Sequence, residues 1–405
     1  MAKKNGGKTT AAGEAAYLRL RDIIMMPKNK VALDILKLWY TEEDAQILAA
    51  GPFKTVQMDQ HTIEEYASQT GISEATIKET FERLSHRGLL FWFVDKRNGD
   101  KKKYMIPPLF PGLVEYYLIS PHNSIDERRE FIKKFHNLQE LGFTIGADSA
   151  FSVFRVVPAL KPGLDKRLIP VGKALEKEKS QILAYQDVKQ IIHAAGKKEN
   201  NIAILPCTCR TMAMMQKKSP DCEASVENCM TFGAPAHYSV AEGIGRYVTE
   251  EECLKILERA EKEGLIHCTQ NTTDKHGFIC NCCTCCCGIF STAIENNLMG
   301  LFQKSDYVPV IDPDACTKCK KCLKYCNFNA LMYHMGEKED KSEDRVVVRE
   351  DQCIGCGVCA SNCPSEAIYL KKIRDQQPAS SFVEAVMRMM SEQKRHNLED
   401  PVINL

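Results

Sequence analysis

CTKCKKCLKYC at 316–326 and CIGCGVCASNC at 353–363 are two copies of one spacing, CxxCxxCxxxC, set 37 residues apart. Three thiolates at i, i+3 and i+6 on a tight loop can wrap three corners of one iron–sulfur cube, and the fourth corner has to come from elsewhere. Gly355 and Gly357 suit such a loop, because the backbone must turn its amides toward sulfur. A zinc reading requires two CxxC knuckles for each ion and leaves thiols over.

The doubled motif resembles the bacterial dicluster ferredoxins. In that family the last cysteine of each motif crosses to the other cluster, so the resemblance implies two [4Fe-4S] clusters. It gives cluster 1 to Cys316, Cys319, Cys322 and Cys363, and cluster 2 to Cys353, Cys356, Cys359 and Cys326. Pro364 follows the last cysteine as the family expects; Asn327 stands where the first motif usually has proline, which is not a ligand. Lys318, Lys320, Lys321 and Lys324 lie on the first motif, whereas Glu350, Asp351 and Glu366 flank the second. Cations favour the reduced, more negative cluster, so the first is expected to have the higher potential.

The chain has 20 cysteines, none before residue 207, a distribution unlike that of a short secreted disulfide scaffold. Ten of them form a second constellation: Cys207 and Cys209 in PCTCR, Cys222, Cys229, and Cys280, Cys282, Cys283, Cys285, Cys286 and Cys287 in ICNCCTCCC. So many free thiols in close range would cross-oxidise, which points to one or two further iron–sulfur clusters whose ligand partition is open. If the run is extended, Cys283, Cys285 and Cys287 face one way and Cys280, Cys282 and Cys286 the other. Cys253 and Cys268 read as buried small hydrophobes. His267 and Asn271 read as structural hydrogen-bonding groups near the run.

Toward the N-terminus, Ile63 to Gln69 reads as a short helix, Ser73 as an N-cap, and Ile77, Phe81 and Leu84 as the buried stripe of a second helix stopped by Gly88. FWFV and KKKYMI then flank Asn98-Gly99, a hairpin signal. This order resembles a winged helix-turn-helix domain. Its second helix sets Glu74, Glu79 and Glu82 against Lys78, Arg83 and Arg87, so DNA contact is not favoured. Only the hairpin is basic. Farther on, Thr249 with Glu252 begins a helix, and Ser381 with Glu384 begins another that runs to about Arg395.

The fold class expected is a multidomain α+β chain with three main parts: a winged-helix N-terminal domain, a mixed α/β cysteine-rich middle domain and a C-terminal bacterial dicluster ferredoxin fold. The boundaries are a mobile tail 1–13, N-terminal helices 14–59, the winged-helix-like domain 60–108, and a middle domain 109–304 with its cluster-binding region 201–290. The ferredoxin domain 305–372 and a helical tail 373–405 complete the chain. The succession of winged helix, RVVP, PCTCR, GIGR, GLIH, ICNCCTCCC and dicluster ferredoxin resembles the 4Fe-4S dicluster proteins of anaerobes, over roughly residues 60 to 372. That resemblance implies electron transfer, often beside a flavin or nicotinamide oxidoreductase.

Composition narrows the function further. With 54 basic and 53 acidic side chains the 405-residue chain has a formal charge of +1, so any affinity for polyanions must come from a local patch. No run approaches the ~18 apolar residues of a membrane helix. MAKKNGGKTTAAG has no apolar h-region, so a reducing cytoplasm is the expected compartment. There is no GxGxxG fingerprint, and GIGR at 243–246 lacks its third glycine, which places substrate chemistry on a redox partner protein. Two alternatives stay open: a redox-sensing DNA-binding regulator, and a cluster-based reductase acting at CNCCTCCC.

Overall fold

Five polar residues start the helices of the N-terminal region, each accepting a backbone N–H from three positions on. Thr10 precedes Ala11–Ile24, Asn29 precedes Lys30–Trp39, Thr41 precedes Glu42–Ala50, Thr62 precedes Ile63–Thr70 and Ser73 precedes Glu74–His86. The structure, a computed structural model, describes residues 9–56, 59–96, 99–140, 151–159, 188–218, 221–273, 276–336 and 343–395. The Thr10 cap starts its helix at Ala11, inside the stretch expected as tail. Residues 1–8 of that tail, Asn98 of the expected hairpin turn and residues 396–405 lie outside the described residues.

The chain divides into two compact units. One comprises Met1–Thr144, Thr211–Lys217 and His237–Arg246; the other comprises Ile145–Arg210, Lys218–Ala236 and Tyr247–Leu405. In the first, Phe53, Tyr66, Phe81 and Tyr104 form a buried aromatic series with centroids 5.2, 4.9 and 5.1 Å apart. The helix Glu74–His86 ends at Gly88, whose φ of +77° and closeness to the Tyr116 backbone exclude a side chain. β1 (Phe91–Asp95) and β2 (Lys101–Met105) then pair antiparallel, Phe91 opposite Met105. The basic residues here are largely engaged within the unit. Arg83 donates to the buried Asp44 at 3.1 Å and Arg87 to the Trp39 carbonyl at 2.7 Å. Lys101 pairs with Glu64, Lys103 pairs with Asp95, and Lys102 lies 4.0 Å over the Trp92 ring.

The second unit is built on a six-stranded sheet of β3 (Phe154–Val157), β4 (Ile202–Pro206), β5 (Glu227–Phe232), β6 (Arg246–Tyr247), β7 (Ile266–Gln270) and β8 (Phe278–Cys282). Their order is β3–β7–β8–β5–β4–β6. The helices Val188–Gly196 and Glu250–Lys262 cover it, burying Ile192, Ile256 and Leu257 against Ile204, Met230 and Ile279. Thr249 caps the second of these helices. Cys253 and Cys268 are buried, and burial pushes both thiols up to about 12. β9 (Tyr307–Ile311), β10 (Leu331–His334), β11 (Arg345–Val348) and β12 (Ile368–Lys372) follow, β9 pairing with β12 and β10 with β11 in antiparallel register.

Two asparagines tie the doubled motif to the turn that ends Glu250–Lys262. Asn362 donates to the Glu261 carbonyl at 2.8 Å, and Asn327, in the position where proline is usual, donates to the Gly264 carbonyl at 3.1 Å. Arg155 on β3 reaches Asp306 at 2.8 Å, both side chains being essentially inaccessible. The helix Phe382–Arg395 buries Ala385 and Met389 and sets Arg388 over Phe151 at 4.2 Å. Among the described residues no helix is long and apolar enough to cross a membrane.

Candidate metal centres

Each CxxCxxCxxxC loop leaves one strand, turns twice through left-handed backbone and ends in a one-turn helix. Lys318 and Lys320 have φ of +55° and +62°, and Gly355 and Gly357, at the same places in the second loop, have +73° and +75°. These turns aim amides at sulfur: Lys321 N–H at Cys319, and Gly355 and Val358 N–H at Cys353 and Cys356. Ala330 N–H adds a bond to Cys326 at 3.2 Å. Amides converging on sulfur are the donors that a thiolate-bound cluster requires.

Cys316, Cys319, Cys322 and Cys363 line one cavity together with Lys320 and Pro364. Cys353, Cys356, Cys359 and Cys326 form the other group: Cys326 lies close enough to raise the proton affinity of the other three, and Cys353 that of Cys356 and Cys359. The structure thus brings the last cysteine of each motif to the first three of the other. The two groups differ in exposure. Cys319 is exposed and its thiol is lowered by the Lys321 amide, whereas burial pushes Cys356 up to about 12. Arg374 and Lys304, outside either motif, place positive charge beside Cys353, and Arg374 donates to the Cys353 carbonyl at 3.4 Å. Motif reading could not find them, since they arrive from neighbouring strand ends.

The ten upstream thiols separate into six and four. β8, β5 and β4 are neighbours in the sheet, so Cys280 and Cys282 on β8, Cys229 on β5 and Cys207 at the end of β4 lie side by side. Side-chain hydrogen bonds run from Cys207 to Cys229, to Cys280, to Cys282, to Cys287 and to Cys209. Cys287 caps the helix Gly288–Glu295, and Cys209 lies in the first turn of Thr208–Gln216.

The remaining thiols, Cys222, Cys283, Cys285 and Cys286, have their sulfurs all within 4.8 Å of one another. The alternation expected along the run holds for Cys280 and Cys282 and fails beyond. β8 ends at Cys282 and the chain turns, so Cys286 joins Cys283 and Cys285 while Cys287 joins the six.

Arg210, 2% exposed, lies between Cys283 Sγ at 3.5 Å and the Ser225 carbonyl at 2.6 Å. Burial raises the Cys222 thiol, but the Ala224 amide, Arg210 and neighbouring thiols outweigh it and leave the group lowered to about 7. His267 bonds Asn281 at 2.6 Å and Glu261 at 3.1 Å, and Asn271 accepts from Arg155 at 3.2 Å. Both hold the scaffold through hydrogen bonds.

Residues 315–367 match the family model of the 4Fe-4S dicluster domain. Ferredoxin-3 of Rhodobacter capsulatus is 34% identical over 83 residues, a match covering 15% of this chain and 82% of that protein. The chain belongs to the 4Fe-4S ferredoxin family. Pyruvate synthase subunit PorD of Methanothermobacter marburgensis, another similar protein, is 30% identical over 66 residues, 16% of this chain and 68% of the subunit. An archaeal-type NADPH glutamate synthase of Dehalococcoides mccartyi is 32% identical over 73 residues, 18% of this chain and only 13% of the synthase. The likeness to that larger enzyme is therefore confined to a small part of its length. No solved structure matches the chain. The ferredoxin likeness lies in residues 315–367, within the second unit, and the iron–sulfur chemistry it supports is that of this segment.

Proposed function

We propose that the chain relays single electrons to or from a partner flavin- or nicotinamide-dependent oxidoreductase in the cytoplasm. Cluster 1 is held by Cys316, Cys319, Cys322 and Cys363, and cluster 2 by Cys353, Cys356, Cys359 and Cys326. The six-thiol set Cys207, Cys209, Cys229, Cys280, Cys282 and Cys287 holds a further iron–sulfur cluster. The observation that carries this reading is the repeated loop geometry, in which equivalent left-handed residues in both copies turn amides onto sulfur.

Residues 60–108 serve as a winged-helix-like packing or docking module. The ion pair of Arg83 with Asp44 and the bond of Arg87 to Trp39 support that role, because two of the three cations on Glu74–Arg87 are already engaged. The test is anaerobic purification with mass spectrometry of co-purifying proteins, an EPR-monitored redox titration, and electron transfer from the captured oxidoreductase. At least two [4Fe-4S] signals and reduction by the partner are expected. A clean shift of genomic DNA fragments, lost on oxidation, would instead establish the regulator.

A further inference from the structure

The four thiols of Cys222, Cys283, Cys285 and Cys286 stand apart from every other cysteine group in their spacing. Cys222 Sγ is 3.9 Å from Cys283 Sγ, Cys285 Sγ is 3.8 Å from Cys286 Sγ, and all four lie within 4.8 Å of one another. A tetrahedral ion with metal–sulfur bonds of about 2.3 Å sets its sulfurs about 3.8 Å apart. In a cube each thiolate binds its own iron at a separate corner, so the sulfurs are pushed farther out. The chain carries its own comparison: among the described residues neither the eight ferredoxin thiols nor the six-thiol set contains three sulfurs within that limit. Nor are these disulfides, whose sulfurs are bonded at about 2.05 Å.

We infer that Cys222, Cys283, Cys285 and Cys286 hold one tetrahedral divalent ion, zinc or ferrous iron, in a closed mononuclear site distinct from the iron–sulfur clusters. Binding breaks four S–H bonds, sends four protons to solvent and forms four metal–sulfur bonds with no electron transferred. The site would carry a net charge of −2, and the buried guanidinium of Arg210, hydrogen-bonded to Cys283, offsets part of it. The ligands come from the turn after β8 and from the segment before β5. This inference concerns metal content and stands whether or not the relay reading holds.

The test measures zinc, iron and acid-labile sulfide per chain in the full-length protein purified anaerobically, beside Cys285→Ser and Cys222→Ser. Cys285 is exposed and Cys222 partly so, so neither change opens the core. Each variant is expected to lose one metal ion per chain while keeping its inorganic sulfide and its ferredoxin EPR signals. Loss of roughly four irons together with roughly four sulfides would make the site a cluster and overturn the inference, as would no loss of metal in either variant. Should a variant misfold, X-ray absorption on the wild-type protein decides: a zinc or iron component with four sulfur neighbours and no second metal supports the site, and its absence overturns it. A relay that fails would show in the partner assay and leave these counts unchanged.

Discussion

Lys318 and Gly355 occupy equivalent positions in the two cysteine loops and share a left-handed backbone, yet only one of them has room for a side chain. A Cβ on Gly355 would lie 2.1 Å from Ser305 Oγ and 2.2 Å from the Tyr307 carbonyl oxygen, at φ +73°. Gly355→Ala is therefore expected to cost the protein one cluster, roughly four iron atoms per chain by iron analysis. Lys318→Gly should keep both clusters and be neutral or stabilising by up to ~1 kcal/mol, since it relieves left-handed strain. His276 makes a second residue-level case. Burial, then the charge of Arg155, holds its imidazole down at about 4, and its Nε2 is buried without a partner. The unfolded ring titrates near the ordinary 6.5, so the stability this neutral ring contributes is complete above that pH and is lost as pH falls toward 4. His276→Gln should flatten that fall by at most ~1.4 kcal/mol per pH unit, read from anaerobic urea denaturation at pH 7, 6 and 5.

Elements meet through a few buried polar contacts. Arg155 on β3 and Asp306 just before β9 form an ion pair with 1% and 0% of their side chains exposed, and Arg155 also bonds Asn271. Removing Arg155 takes the 2.8 Å partner from a buried carboxylate whose other cation, Lys372, lies 4.0 Å away, and that loss costs more than the pair itself contributes. Arg155→Met is expected to destabilise the second unit by about 3 kcal/mol or more in urea denaturation. The double variant Arg155→Met with Asp306→Leu should recover part of that loss. If the double variant is less stable than the single one, the pair is not the source of the effect. Asn327 and Asn362 of the doubled motif act at the same scale: by donating to carbonyls at the end of Glu250–Lys262 they fix the motif to a helix that also covers the six-stranded sheet.

Across the whole molecule, the charge around the two ferredoxin-type groups is more balanced than their motifs imply. The lysines of the first loop are joined, at the second, by Arg374 and Lys304 beside Cys353. Exposure still favours a higher potential at the first group, since Cys319 is exposed where Cys353 and Cys359 are buried. The two sets of cations should differ in their salt response. Reversing Lys320 and Lys321 to Glu is expected to lower one reduction wave at low salt and to lose that effect at high salt. Arg374→Gln should lower the other wave by about 20–40 mV, largely independent of salt, because the cation is half-buried. An EPR-monitored titration at two ionic strengths separates them; identical shifts in both waves would sink the assignment.

What the sequence determined by itself is what spacing along a few residues can determine. Cys316, Cys319 and Cys322 must share a loop, as must Cys353, Cys356 and Cys359, because three-residue steps fix thiols locally whatever surrounds them. The caps at Ser73 and Thr249 and the stop at Gly88 were legible for the same reason. Only the tertiary structure separated the ten upstream thiols. Which of them meet depends on the pairing of β4, β5 and β8 and on β8 ending at Cys282, one residue before Cys283. Strand order and strand ends are set by burial against distant segments, here the helices Val188–Gly196 and Glu250–Lys262, and a run of cysteines carries no record of that burial. Arg374 and Lys304 come beside Cys353 through the same long-range packing, which is why the cysteine motifs did not announce them.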